Sequence, residues 1–107
     1  MSEFKPPAHL TAEMRAWVAA TEAEYDLAPH HIQLLILAAE TYDQAERARK
    51  RLVKEGEYIE DRFGQLRQHP ALPVLRDARA AFARLVREIG LDDSDASTRP
   101  PRIAGRY

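Results

Sequence analysis

Residues 29–56, PHHIQLLILAAETYDQAERARKRLVKEG, decide the fold of this 107-residue chain. Proline suits the first turn of a helix, and glycine suits the position just after the last turn. Pro29 and Gly56 therefore mark the two ends of one long helix. At 1.5 Å per residue this helix extends about 40 Å. The sequence predicts that the rest of the chain folds around it.

The first half of this helix is apolar on nearly every side. A surface helix needs only one apolar stripe, and a small domain has few other helices to cover the remaining sides. We therefore expect a second copy of the chain to cover part of this segment. The predicted interface residues are Ile32, Leu34, Leu35, Ile36 and Leu37.

The second half of the helix is charged. Asp43 precedes Arg47, and Glu46 precedes Lys50, by four residues, a spacing that favours ion pairs on a helix. Four cations fall at i, i+3, i+4 and i+7 and make one basic stripe, consisting of Arg47, Lys50, Arg51 and Lys54. The stripe has two interpretations. In the first, the cations complement the dipole at the helix C-terminus. In the second, they contact the phosphates of a nucleic acid.

Before the long helix, the sequence predicts a loose arm and a shorter helix. The arm covers residues 1–9, which contain two prolines. The helix covers about residues 11–25, with Thr11 as its N-cap. Met14, Trp17, Val18, Thr21 and Tyr25 share one face of it. We expect Trp17 and Tyr25 to anchor the core, because each ring buries a large area.

After the long helix, the sequence predicts a hairpin and a third helix. Two β-prone runs at about residues 57–68 flank Asp61-Arg62-Phe63-Gly64, in which Gly64 can take a positive φ. A lone hairpin is only marginally stable, so it must pack on the helices or on another chain. His69 is expected to cap the third helix and Pro70 to begin it. Its apolar face carries Leu72, Leu75, Ala78, Phe82, Leu85, Val86 and Ile89, and it ends at Gly90-Leu91.

The predicted fold class is therefore mainly α, with three helices, a small β-hairpin between the second and third, and flexible termini. One folded core over residues 10–91 lies between the arm and a flexible tail over residues 92–107. The net charge of −1 conceals an asymmetry. Residues 1–46 carry 2 basic and 8 acidic groups, whereas residues 47–107 carry 14 basic and 9 acidic groups. A basic second part fits a nucleic-acid contact surface, and it also fits chance segregation of charge on a solvated surface.

Residues for catalysis or metal binding are scarce. The chain has no cysteine, which excludes disulfides, thiolate zinc sites and cysteine nucleophiles. The four histidines, at 9, 30, 31 and 69, include no pair four residues apart. There is no glycine-rich phosphate loop, and no apolar segment is long enough to span a membrane. We therefore predict a non-enzymatic protein with no metal and no cofactor.

In the order of its elements, the chain resembles the small subunits of tailed-bacteriophage terminases. The matching features cover about residues 10–91. They are Leu10-Thr11 to Trp17, Tyr25-Asp26-Leu27, the long helix ending at Gly56, the hairpin around Gly64, His69-Pro70-Ala71-Leu72, the run from Phe82 to Leu85, and Ile89-Gly90-Leu91. Arginines follow in the tail, at positions 99, 102 and 106.

The resemblance implies a ring-shaped homo-oligomer in the cytoplasm of the infected bacterial host. Such a ring binds double-stranded viral DNA at the packaging start and regulates the large terminase subunit, which carries the ATPase and nuclease. The resemblance favours the DNA-binding interpretation of the basic stripe, with Arg62 and Arg67 on the hairpin as the next candidates. Two alternatives remain. A helix-turn-helix transcription regulator predicts a short recognition helix. A structural adaptor predicts that reversing the charges of the stripe leaves DNA binding unchanged.

Overall fold

The computed structural model describes residues 4–91, which form three helices and a two-stranded antiparallel sheet. The elements are α1 (Ala12–Glu24), α2 (Pro29–Glu55), β1 (Tyr58–Glu60), β2 (Leu66–Gln68) and α3 (Ala71–Ile89). The predicted mainly-α class, with a long central helix and a hairpin between the second and third helices, is confirmed. The predicted tail over 92–107 and the first three residues of the arm lie outside the described residues.

Helices α2 and α3 form an antiparallel pair. Near the start of α2, Leu35 and Ala39 share a buried cluster with Ile89 at the end of α3. Near the end of α2, Leu52 shares a second cluster with Ala71 at the start of α3. Small residues such as Ala48 and Ala78 lie buried between the helices, and their size lets the two backbones approach closely.

Helix α1 covers only one end of this pair. Its Met14 and Val18 join Leu35 in the larger cluster, against which Trp17 also packs. The Trp17 and Phe82 ring centroids lie 5.7 Å apart. Trp17 is therefore the core anchor that the sequence predicts. Tyr25, the C-cap of α1, is only half-buried and stands outside that cluster, so it is not the core anchor that the sequence predicts.

The start of α1 is held by a hydrogen-bond network. The hydroxyl oxygen of Thr11 accepts from the Met14 N–H at 3.2 Å, which confirms the predicted N-cap. That hydroxyl also donates to Asp43 Oδ1 at 2.7 Å, and the Thr11 N–H donates to Asp43 Oδ2 at 2.9 Å. Asp43 is 4% exposed. The predicted Asp43–Arg47 pair is thus wrong, since the carboxylate turns toward the donors that α1 brings to it.

The second predicted pair on α2 is also replaced. Glu46 pairs with Arg49 at 3.1 Å, three residues on, and not with Lys50. Both spacings place the two residues of a pair on neighbouring positions of the helix surface, so spacing alone does not choose between them.

Residues 4–9, which belong to the predicted loose arm, make contacts with the helices. Phe4 packs against the larger cluster. His9 Nε2 lies 2.7 Å from Glu40 Oε2, and Arg15 donates to the Ala8 carbonyl at 3.2 Å. These contacts belong to residues 4–9 only, and the flexibility of the arm over residues 1–9 stays a prediction.

Candidate DNA-binding and self-association surfaces

The basic stripe lies on the exposed side of α2. The side chains of Arg47, Lys50, Arg51 and Lys54 are all exposed. Arg51 donates to Glu55 Oε1 at 3.3 Å. The other three cations form no ion pair within residues 4–91. The stripe therefore presents three unpaired positive charges over about two helical turns, and Lys54 also lies in the last turn beside the helix C-terminus.

The two hairpin arginines are less available than those of α2. Arg67 donates to Asp61 Oδ2 at 2.6 Å, so its charge is offset within the hairpin. The Arg62 guanidinium lies 5.2 Å from the Phe63 ring centroid, in a cation–π contact. Residues 57–68 carry three acidic and two basic groups. A surface of net negative charge is poorly suited to phosphate contact, so the stripe is the stronger candidate for DNA.

Asp61 organises the turn of the hairpin, a role that sequence reasoning missed. Its Oδ1 accepts from the N–H groups of Phe63 at 2.8 Å and Gln65 at 3.0 Å. The hydrogen bond from Arg67, followed by those from the two backbone N–H groups, holds the pKa of Asp61 below its usual value. Gly64 has φ +79°, as predicted. An aspartate at the start of a four-residue turn is the signal that could have revealed this role.

His69 joins the end of the hairpin to both neighbouring helices. Its Nδ1 accepts from the Ala71 N–H at 2.9 Å, so the predicted cap of α3 is confirmed. With Nδ1 as acceptor, Nε2 carries the proton and donates to Glu55 Oε1 at 2.7 Å. This bond, followed by that from Arg51, lowers the pKa of Glu55. The predicted start of α3 at Pro70 is one residue early, since α3 begins at Ala71 and Pro70 occupies its N-cap position.

The predicted interface residues on α2 do not share one environment. Leu35 has no exposed surface and belongs to the chain's own core, which removes it from the predicted interface. Ile32, Leu34 and Ile36 are half-buried. Leu37 is 46% exposed. The periodicity placed apolar residues on every side of α2, but it did not show that α1 and α3 together cover two of those sides.

Most exposed apolar surface lies at the opposite end of the molecule. Seven large hydrophobic side chains are exposed among residues 4–91, and four of them are on the hairpin, namely Tyr58, Ile59, Phe63 and Leu66. All six strand residues are exposed. The hairpin is therefore little covered: Gln68 lines a depression with Leu72 and Leu75 of α3, but the described part of the chain does not enclose the exposed apolar side chains.

A shallow groove of about 410 Å³ lies between the second half of α2 and the first half of α3. We call it the α2–α3 groove. Its lining residues are Gln44, Arg47, Ala48, Arg51, Pro70, Ala71 and Val74. A second depression shares Gln44 and Val74 with it and continues toward Thr41 and Ala81. The groove thus has a small apolar floor and two arginines at its edge.

The profile for the small subunit of phage terminases matches residues 11–99, which is most of the chain. The chain belongs to the phage terminase small-subunit family. Searches of curated proteins and of solved structures give no match. This membership agrees with the resemblance seen in the sequence, and it supports a role as a terminase small subunit.

Two further findings concern the described residues only. Within residues 4–91, no three His, Asp or Glu side chains are grouped so that they could hold a metal ion. In the same part of the chain, no helix has the length and apolar character needed to cross a membrane.

Proposed function

We propose that this chain is a non-enzymatic packaging adaptor that binds double-stranded viral DNA at the packaging start, in the cytoplasm of the infected bacterial host. It assembles with copies of itself into a ring and regulates the large terminase subunit, which supplies the ATPase and nuclease. The folded core over residues 10–91 carries both DNA binding and self-association. The single observation that carries the proposal is the family match over residues 11–99.

The basic stripe on α2 is the proposed DNA-binding surface. Its cations are exposed, and Arg47, Lys50 and Lys54 have no carboxylate partner within the described residues. Contacts of this kind neutralise phosphates and position the protein on a duplex, but they read no base sequence. Arg62 and Arg67 are secondary candidates, because Phe63 and Asp61 already engage their guanidinium groups.

Self-association is the second part of the proposal. Ile32, Leu34, Ile36 and Leu37 remain the proposed contact residues on the first half of α2, and Leu37 is the most exposed of them. Three helices pack together at one end of the chain and only two at the other. These are too few elements to cover α2 on all sides.

The alternative of a helix-turn-helix regulator gains no support from the helices. A recognition helix is a short element that follows a tight turn. Here the second helix has 27 residues, and its first half lies in the core.

The test is the salt dependence of DNA affinity for the double variant Lys50→Ala/Lys54→Ala. The slope of log affinity against log salt changes by about 0.9 for each phosphate contact, so we expect it to fall by about 2 relative to the unmodified chain. Arg84→Ala/Arg87→Ala is the matched control, because it removes two exposed cations from the far end of α3. If both double variants lose the same slope, or neither does, the stripe is not the DNA-binding surface.

A further inference from the structure

The hairpin is the least covered element of the described chain. Phe63 is 73% exposed, Leu66 72% and Tyr58 57%. A two-stranded hairpin by itself is only marginally stable in water and needs a surface to pack on. The side chains of α2 and α3 do not enclose the hairpin, since every strand residue stays exposed, although Gln68 lines a depression with Leu72 and Leu75 of α3.

One face of the hairpin combines apolar and acidic groups. Tyr58 pairs with Gln68, and Glu60 pairs with Leu66. Because side chains alternate along a strand, these four residues lie on the same face. Glu60 forms no ion pair within residues 4–91. We call this surface the hairpin face.

The α2–α3 groove has complementary properties. Ala48, Ala71 and Val74 supply its apolar floor, and Arg47 and Arg51 stand at its edge. None of its lining residues comes from the hairpin, so the chain does not fill its own groove. Its continuation reaches Thr41. Leu37 lies seven residues before Gln44 and therefore on the same side of α2.

We propose that the hairpin of one copy docks in the α2–α3 groove of the next copy. The occupant is assigned by charge and polarity. The hairpin face carries Glu60, which has no ion pair within residues 4–91, beside Tyr58 and Leu66. The groove carries Arg47, which has none within those residues either, beside an apolar floor. The proposal rests on the self-association part of the proposed function, and it adds a second pair of contact surfaces to the residues proposed on the first half of α2.

The two surfaces are different parts of one chain, so the contact is heterologous. Repetition of a heterologous contact gives a closed ring or an open filament, whereas a self-complementary contact stops at a dimer. Arg47 and Arg51 of the basic stripe then contact the neighbouring copy, which narrows the proposed DNA-binding surface to the other two cations. Lys50 and Lys54 do not line the groove and stay available for phosphates.

The proposal predicts complementation between two defective variants. Phe63→Glu places a charge on the hairpin, and Val74→Glu places one in the groove. Both sites are exposed, so circular dichroism should show unchanged helical content. Light scattering should give many times the 12.2 kDa chain mass for the unmodified protein and a single-chain mass for each variant alone. An equimolar mixture should give a dimer, because only one hairpin and one groove remain intact.

Each of the other outcomes contradicts either hairpin docking or self-association. Variants that keep the mass of the unmodified assembly refute hairpin docking and leave the proposed function standing. An unmodified chain that is itself a single copy refutes self-association, and docking with it. If Phe63→Glu weakens DNA binding but keeps the mass, the hairpin contacts nucleic acid and the docking proposal is wrong.

The absence of cysteine allows a direct check of which surfaces meet. Phe63→Cys and Val74→Cys chains, mixed and treated with oxidised glutathione, should form a disulfide-linked pair of one chain of each kind on a non-reducing gel. The control pairs Phe63→Cys with Ala83→Cys. Ala83 is exposed and nine residues from Val74, hence on the opposite side of α3. Equal linkage in both mixtures, or none with Val74→Cys, contradicts the proposed contact.

Discussion

At the residue scale, the turn of the hairpin depends on one carboxylate. Asp61 accepts two backbone hydrogen bonds and one from Arg67, although it stands on an exposed element. The hairpin has no core of its own, so these bonds and its short ladder are what hold its shape. The ionised form of Asp61 is therefore the form that the folded hairpin favours.

This gives a pH prediction with a defined sign. The folded state lowers the pKa of Asp61, chiefly through Arg67, so its stabilisation is complete above the unfolded value of about 3.9 and is lost as the pH falls through the folded value. We expect the amide resonances of Phe63 and Gln65 to be constant near neutral pH and to move toward unfolded positions only below about pH 4. In Asp61→Asn the acid transition should vanish. Amide shifts in the unmodified chain that stay constant down to pH 2 would contradict this account.

At the element scale, α2, the hairpin and α3 meet at His69. The ring is 2% exposed, and its two nitrogens bond to the start of α3 and the end of α2. A backbone hydrogen bond also links His69 to the start of the hairpin, since the His69 N–H donates to the Glu57 carbonyl at 2.8 Å. The histidine thus sets where the hairpin ends and α3 begins.

His69→Ala should therefore destabilise more than the loss of an ordinary surface contact. Removal of a capping side chain costs about 0.5–2 kcal/mol, and a buried N–H left without a partner adds to that loss. Chemical denaturation should show a fall of about 1–3 kcal/mol in the free energy of unfolding. His30→Ala, at an exposed histidine in the first turn of α2, is the control and should change it by less than about 0.5 kcal/mol. Similar losses in the two variants would argue against the capping role.

At the scale of the whole molecule, the two ends differ in how completely they are covered. Three helices enclose the cluster around Leu35, whereas only α2 and α3 enclose the one around Leu52. The hairpin extends from that second end. Apolar side chains are therefore left exposed at Leu37 and on the hairpin, where we propose that a second copy of the chain binds.

Two neighbouring leucines on α2 should separate stability from assembly. Leu35→Ala removes a fully buried side chain, so the free energy of unfolding should fall by about 2–5 kcal/mol. Leu37→Glu alters a side chain that is 46% exposed, so the fold should persist while the mass from light scattering falls. Both variants are measured in two ways: unfolding curves check the effect on stability, and solution mass checks the effect on assembly. A Leu37→Glu chain that keeps the unmodified mass would remove Leu37 from the contact between copies.

The sequence by itself determined the elements and their ends. Thr11, Gly56, Gly64 and Gly90 mark caps and turns through local backbone chemistry, which needs no knowledge of distant residues. The order of helix, long helix, hairpin and helix follows from these signals, and it also carried the resemblance to terminase small subunits. The exposed position of the basic stripe could likewise be anticipated, because four cations on one helical face favour water.

Only the tertiary structure decided which surfaces are covered. Asp43 bonds to Thr11, Phe4 packs on the core, and Leu35 is enclosed, because α1 and α3 meet α2 at particular places. Periodicity shows that a residue is apolar, but it does not show which neighbour reaches it. For the same reason the exposed apolar surface was expected on the first half of α2 and lies mostly on the hairpin. Its position depends on contacts between residues far apart in the chain, and no local pattern encodes those contacts.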